Sequence, residues 1–233
     1  MREPVLPPPT GITFPDPRRG PIVLAVGEDF RPGTLLEAYK NGIFPWPHTF
    51  VDERGREDHV VAWFSPDPRA LLPLATPPHW SRSLRRTLRR APWRVTVDTA
   101  FREVVRACGS EREEGTWITP PLVDGYTALH ELGWAHSLEV WDGARLVGGI
   151  YGVAIGRSFA AESMFHRETD ASKVAFATLA ERLREAGYLF LDAEVQNPHL
   201  ETLGVIEVPR ARYLELLARA TRERPERPIN AWA

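Results

Sequence analysis

The sequence predicts an α+β fold in which a small N-terminal domain precedes a mixed sheet with helices. Three observations support this prediction. Most of the 22 prolines of the 233-residue chain lie in its first 80 residues. Three extended segments follow one another between residues 136 and 164, and the tight-turn signal Asp142-Gly143 separates the first two. A long amphipathic segment and then a strongly apolar one come directly after them.

Residues 1–67 are expected to form the small proline-rich domain. A helix is predicted over residues 34–40, because Gly42 follows it as a stop signal. Short strands are predicted on either side of it, at residues 22–26 and 60–64.

Residues 68–233 are expected to form the larger domain. Asp98 and Thr119 are predicted helix N-caps, and Pro120 suits a first helical position. The predicted elements in order are a strand at 94–97, helices after Asp98 and after Thr119, strands at 136–141, 145–155 and 158–164, a helix at 171–186, a strand at 188–195 and a helix at 210–221. The glycines at 148, 149 and 152 thin a strand, which allows another backbone to approach closely.

An antiparallel meander followed by a helix and another strand is the central order of the acetyltransferase-like N-acyltransferase fold. The strand after the helix should lie parallel to the third meander strand through a right-handed crossover. An acyl donor can enter where these two strands splay apart.

Composition excludes several classes of protein. The 43% of apolar residues and a net charge of −2 are typical of a globular chain rather than a disordered one. Cys108 is the single cysteine, which rules out a disulfide framework and a cysteine-built metal site. The seven histidines show no zinc-ligand spacing, so no metal site is predicted. The longest apolar run, residues 146–156, is too short to span a bilayer, and the N-terminus lacks a signal-peptide core, so we expect a cytoplasmic protein.

Basic residues are concentrated between Ser81 and Arg94, where six arginines occur without any acidic residue. Arg82, Arg86 and Arg89 recur at helical spacing and would form one stripe. Such a stripe suits a phosphate backbone, and it is equally typical of a solvated helix face.

Three carboxylates stand in apolar surroundings. Asp192 and Glu194 follow the apolar run 188–191, and residues two apart on a strand face the same side, about 7 Å apart. They are candidates for a base and its orienting partner, with the pKa of one raised by repulsion, or else for a solvated strand end. Glu162 lies inside an apolar strand, where it must reach solvent, a ligand or a cation such as an ion-pair partner.

Ordered motifs along residues 20–217 resemble those of the leucyl/phenylalanyl-tRNA–protein transferase family. They are Asn41-Gly42-Ile43-Phe44-Pro45-Trp46, Trp63-Phe64-Ser65-Pro66-Asp67-Pro68-Arg69-Ala70, Glu113-Glu114-Gly115-Thr116-Trp117-Ile118-Thr119, Leu129-His130-Glu131-Leu132-Gly133, Ala135-His136-Ser137, Leu146-Val147-Gly148-Gly149-Ile150-Tyr151-Gly152, Glu162-Ser163-Met164-Phe165, Ala171-Ser172-Lys173 and His199-Leu200 through Leu203-Gly204.

The resemblance implies an aminoacyltransferase. Its donors would be leucyl- and phenylalanyl-tRNA, with methionine as a further possibility, and its acceptors proteins with N-terminal Arg or Lys, which then enter N-terminal-residue-dependent degradation. It implies no metal or organic cofactor, and neither a membrane nor DNA as a partner.

The resemblance also implies site residues. Asp192 and Glu194 match the family's catalytic aspartate and glutamine, so Glu194 departs from the family pattern. Trp46, Trp117, Glu162 and Met164 match the pocket for the aminoacyl group and terminal adenosine. Arg82, Arg86 and Arg89 match the residues that hold the tRNA acceptor stem.

Two other functions remain open from the sequence. An acyl-CoA-dependent N-acyltransferase would need a glycine-rich pyrophosphate loop, and residues 166–171 contain no glycine. A non-catalytic tRNA- or degron-binding module would explain Glu194 as a mark of lost activity. Whether Glu194 is a base or an orienting group is also open.

Overall fold

A three-stranded sheet and one helix form the N-terminal part of the chain. The computed structural model describes residues 3–51, 54–110 and 118–232. Here β1 (Val23–Val26), α1 (Pro32–Lys40), β2 (Phe44–Val51) and β3 (Glu57–Phe64) follow one another, and the sheet order is β1-β3-β2. The predicted helix and the two short strands are confirmed, whereas β2, which contains two prolines, was not expected from the sequence.

A seven-stranded mixed sheet carries the rest of the fold. Its strands are β4 (Arg69–Pro73), β5 (Arg94–Val97), β6 (Ala135–Asp142), β7 (Arg145–Ile155), β8 (Ser158–His166), β9 (Phe190–Glu194) and β10 (Ile206–Val208), in the spatial order β10-β4-β9-β8-β7-β6-β5. The predicted meander β6–β8 is confirmed, and so is the parallel pairing of β8 with β9. The strands β4 and β10 were not predicted.

Helices cover both faces of this sheet. They are α2 (Arg82–Arg90), α3 (Phe101–Ser110), α4 (Pro120–Glu131), α5 (Ala171–Glu185), α6 (Pro198–Glu201) and α7 (Arg210–Ala220), followed by a short 3-10 helix, Ile229–Ala231. Within the described ranges, no helix has both the length and the apolarity needed to cross a membrane.

The N-terminal part shares a core with the larger sheet. Leu35 and Trp63 lie in the same buried cluster as Val104 of α3 and Tyr126 of α4. A second cluster packs α5 against the opposite face, with Phe176 among its buried side chains. The two sheets therefore form one packed unit, and a domain boundary at residue 67 stays a prediction.

The strands β8 and β9 separate at the point where their carboxylates lie. Their pairing ends at Ala160 and Asp192. The register of β7 with β8 shifts at Glu162, and the register of β4 with β9 shifts at Ala193, so each strand carries one extra residue there. The expected splay is thus present, and two irregularities in the strands accompany it.

Asp98 does not cap α3 as the sequence predicts. Its backbone has a φ of 59°, and its side chain turns away from the helix. Asp98 Oδ1 accepts the Ser137 N–H at 2.9 Å, and Oδ2 lies 2.7 Å from His136 Nδ1. The partners offered by β6 override the local capping preference.

Gly152 allows β8 to bulge beside it, as expected for a thinned strand. A Cβ atom at this position would overlap the Ala160 carbonyl oxygen and the Phe159 ring. We expect Gly152→Ala to lower the free energy of unfolding by about 1–3 kcal/mol, since a packed backbone must move. Urea denaturation measures this loss, and a variant as stable as the native protein would contradict the close approach.

Candidate active site

A buried ion pair joins the two central strands of the site. Arg69 of β4 donates from Nε to Asp192 Oδ1 at 2.8 Å and from Nη2 to Asp192 Oδ2 at 2.7 Å. Both residues are 1% exposed. Such a bidentate geometry is the strong form of a charge-assisted hydrogen bond, and it fixes the orientation of both side chains.

Aromatic rings enclose this ion pair. The Arg69 guanidinium carbon lies 4.4 Å from the Phe44 ring centroid and 4.5 Å from that of Tyr213. The Tyr213 hydroxyl donates to Asp192 Oδ2 at 2.7 Å, and Arg69 Nη1 donates to the Gly42 carbonyl at 3.2 Å. Cation–π contacts and hydrogen bonds therefore connect β2, β4, β9 and α7 around one charge.

Asp192 uses its acceptor positions within the protein. Oδ1 also accepts the Glu194 backbone N–H at 3.0 Å, so each carboxylate oxygen receives two hydrogen bonds. The resemblance implies a catalytic role for Asp192, and in the structure these contacts occupy its acceptor positions. Through its bond to the Glu194 N–H, Asp192 also holds the backbone of Glu194 in place.

Glu194 and Glu162 lie across the splay from each other. Glu194 is 3% exposed and has a left-handed φ of 65°, which breaks the regular alternation of β9. Glu162 is 9% exposed, and its Oε2 accepts the Tyr126 hydroxyl at 2.7 Å. Tyr126 is in turn hydrogen-bonded to the Tyr39 hydroxyl. The Oε1 atoms of both glutamates are buried and have no hydrogen-bond partner.

Burial changes the protonation of both glutamates. It raises the pKa of Glu162 to about 7, although the Tyr39 and Tyr126 hydroxyls act in the opposite direction. Burial raises the pKa of Glu194 well above its usual range, and the charge of Glu162 adds to this. The charge of Asp192 also raises the pKa of Glu194, and the Arg69 guanidinium acts in the opposite direction.

A cavity of about 230 Å³ opens between the splayed strands. It contains three of the four residues assigned to the aminoacyl pocket, Trp46, Glu162 and Met164, together with Glu194. Its remaining lining is largely apolar and comes from Ile150, Ala161, Ser163, Phe176, Ala193, Val195, Asn197 and Leu200. The fourth assigned residue, Trp117, lies outside the described residues, and Asp192 does not line this cavity.

The predicted arginine stripe lies on α2. Arg82, Arg86 and Arg89 are exposed. The helix is anchored to α5 by the Trp80 indole N–H, which donates to Glu181 at 2.7 Å, and by Thr87, which donates to Asp170 at 3.4 Å. Because α5 also contributes Phe176 to the cavity, α2 and the cavity lie against the same helix.

Sequence reasoning missed four residues of the site, Arg69, Tyr213, Tyr39 and Tyr126. Two signals could have found Arg69, which opens the apolar run 70–72 and lies in the motif Trp63-Phe64-Ser65-Pro66-Asp67-Pro68-Arg69-Ala70. It also missed the approach of Asp98 to His130 and His136, whose ligand atoms lie within 4.8 Å of one another. The His130 Nδ1 lies 2.8 Å from the Ala135 carbonyl oxygen, and the His136 Nδ1 lies 2.7 Å from Asp98 Oδ2.

We expect Asp192→Asn to unfold at markedly lower urea concentration. Removing one partner leaves the Arg69 charge buried and uncompensated, which costs about 3–5 kcal/mol. Glu215→Gln, in the exposed pair with Arg212, is the control and should change stability by less than about 0.5 kcal/mol. Equal stability of the two variants would show that the buried pair does not hold the site together.

Comparison with known proteins identifies the family. The family model described as leucyl/phenylalanyl-tRNA protein transferase matches residues 72–218, and that of its N-terminal domain matches residues 28–67. Relatives named leucyl/phenylalanyl-tRNA–protein transferase include one from Shewanella baltica, 47% identical over 208 residues (88% of this chain and 84% of the relative). Another, from Stutzerimonas stutzeri, is 49% identical over 198 residues and 84% of each chain.

The chain is also similar to a solved structure of a functionally unknown conserved protein from Staphylococcus epidermidis. The match covers 61% of this chain and 57% of the Staphylococcus chain. Its TM-score of 0.42 and 12% identity are too low to support an argument. The family assignment depends instead on the two models and on relatives matched over most of their length. The chain belongs to the leucyl/phenylalanyl-tRNA–protein transferase family.

Proposed function

We propose that this protein transfers leucine or phenylalanine from aminoacyl-tRNA to the α-amino group of proteins that begin with Arg or Lys. The observation that carries the proposal is one cavity in which an apolar wall faces two carboxyl groups with unpartnered oxygens. The product would carry a destabilising N-terminal residue, and the reaction would take place in the cytoplasm.

The donor fits this cavity by its chemistry. A leucyl or phenylalanyl side chain would pack against Met164, Phe176 and Leu200, and Trp46 offers a face for the terminal adenine. Glu162 offers a carboxylate for the α-ammonium group of the donor. Glu162 is itself held by Tyr126, so this acceptor is fixed before the donor arrives.

The transfer step asks little of the protein beyond positioning. The acceptor nitrogen attacks the ester carbonyl, the C–N bond forms, and the bond to the ribose oxygen breaks. An ester is already activated, and an α-amino group with a pKa near 8 is partly neutral at pH 7. Glu194 lines the cavity, so we assign its carboxylate the proton of the amine, which returns to the ribose oxygen. Asp192 acts as a positioning residue.

The tRNA acceptor stem would lie along α2. Arg82, Arg86 and Arg89 project from one exposed side of a helix that packs beside the cavity wall. Contacts with phosphates position a nucleic acid without reading its sequence. The bound tRNA would thereby be held by its backbone and by its aminoacylated end.

One assay tests the function. Leucyl-tRNA is mixed with peptides that begin with Arg, Lys, Asp or Glu, with and without ribonuclease treatment. We expect leucine on the Arg and Lys peptides alone, and no product after ribonuclease. Transfer from leucyl-tRNA to none of the peptides, or transfer that survives ribonuclease, would contradict the proposal.

The arginine stripe gives a prediction for tRNA affinity. Replacing Arg82, Arg86 and Arg89 with Ala should weaken binding and flatten its salt dependence. Each lost phosphate contact should lower the log–log salt slope by about 0.7–0.9. The triple mutant should unfold like the native protein, since exposed charges contribute little to stability. An unchanged salt slope would show that these arginines form a solvated helix face and do not contact phosphates.

The shape of the cavity gives a prediction for donor choice. Side chains that are unbranched at Cβ should fit, so leucyl-, phenylalanyl- and methionyl-tRNA should all serve as donors. Valyl-tRNA should react with a kcat/KM at least about tenfold below that of leucyl-tRNA, the cost of one misplaced methyl group. Met164→Ala should raise the KM for leucyl-tRNA and leave the affinity for an Arg peptide intact. Equal use of valyl- and leucyl-tRNA by the native protein would be inconsistent with this pocket.

A further inference from the structure

A hydrogen bond between the carboxyl groups of Glu162 and Glu194 would account for the influence that each has on the protonation of the other. An ionised carboxylate is an acceptor only, so two carboxyl groups form such a bond only when one of them carries a proton. Each group also keeps one buried oxygen without a partner, and both side chains line the same cavity. We therefore expect the pair to hold at least one proton while the site is empty.

The surroundings favour this protonation. Tyr39 of α1 and Tyr126 of α4 face the pair with hydroxyl groups, and Asp192 of β9 adds a negative charge. Arg69 is a cation that acts on Glu194, but it is bonded to Asp192 on both oxygens. The neighbouring helices α5 and α6 present the apolar side chains Phe176 and Leu200. Two anionic glutamates would be poorly compensated here, and burying unpaired charge is costly.

We propose that Glu162 and Glu194 form one site for an α-ammonium group, which stores a shared proton while empty and releases it to solvent when an aminoacyl donor binds. The inference rests on the proposed function, because the donor supplies the ammonium. An ammonium has three N–H donors, enough for both unpartnered oxygens. Its charge allows both glutamates to ionise, so the stored proton leaves.

Glu194 makes this behaviour a property of the present chain. A glutamine at this position, which the family pattern implies, would donate an amide N–H to Glu162 and would itself store no proton. The site also discriminates against donors with an acylated α-amino group. Such donors lack the positive charge of an ammonium group, so the glutamate pair must keep its proton when they bind. Glu194 is thus a specificity-determining residue for a free ammonium, in addition to its place beside the reacting amine.

The experiment uses two ligands that the enzyme cannot cleave. One is 3′-(L-leucylamino)-3′-deoxyadenosine, an amide analogue of the donor end, and the other is its 4-methylpentanoyl counterpart, which lacks the amino group. Calorimetry from pH 5.5 to 7.0, in two buffers of different ionisation enthalpy, gives Kd and the number of protons released. Over this range the α-amino group stays largely protonated.

We expect the leucyl compound to release at least one proton below pH 7 and to bind at least about tenfold more tightly for each pH unit of increase. The deaminated compound should release none, and its affinity should fall as the pH rises. Glu194→Gln should release about one proton fewer than the native protein and bind the leucyl compound with a correspondingly weaker dependence on pH, because only Glu162 still titrates. Glu139→Gln is the matched control, because Glu139 is a buried carboxylate outside the cavity, hydrogen-bonded to Ser137, Thr96 and Thr99. It should keep the native profile.

Two results would overturn the inference. The first is binding of the leucyl compound to the native protein without proton release, and the second is an unchanged release in Glu194→Gln. Both leave the proposed function intact, since the ligand binds. Failure of the native protein to bind the leucyl compound at any pH would contradict the proposed function and this inference with it.

Discussion

The bidentate pair of Arg69 and Asp192 is the interaction on which the site depends. It lies fully buried where β4 meets β9, and it is enclosed by Phe44 and Tyr213. Apolar side chains of equal volume could provide similar stability at such a place. The charged pair instead fixes the orientation of the side chains, and Asp192 holds the end of β9 in place because it accepts the Glu194 N–H.

The end of β9 is irregular, and the irregularity creates the cavity. Glu194 has a left-handed φ, Ala193 is the extra residue of one bulge, and Glu162 is that of another on β8. A bulge re-aims a side chain, which is why bulges occur next to functional sites. Here both bulges lie where parallel strands separate, and two carboxyl groups therefore meet across a gap that a regular sheet would have closed.

The electrostatic character of the cavity follows from this packing. Apolar walls raise the pKa of Glu162 to about 7, and hydroxyl groups of Tyr39 and Tyr126 limit that rise. Such a site is poorly satisfied when empty and well satisfied by an ammonium group. Complementarity to a cation beside an apolar group matches an aminoacyl ester, whose reaction requires placement more than chemical activation.

The sequence by itself determined the class of fold, the meander, the parallel strand after α5, the arginine helix and the family, since these follow from local periodicity, turn residues and ordered motifs. The sequence did not predict the proline-containing β2 or the short β4 and β10, because local signals are weak when a strand's partners lie far along the chain. The pairing of Asp192 with Arg69 was not predicted for the same reason, since the two residues are 123 positions apart in the chain. Only the tertiary structure decided that Glu194 shares a cavity with Glu162, which Asp192 does not line. The expectation that residues two apart face the same side holds only for a regular strand. Here β9 is irregular, because long-range contacts impose a bulge at Ala193 and a left-handed backbone at Glu194.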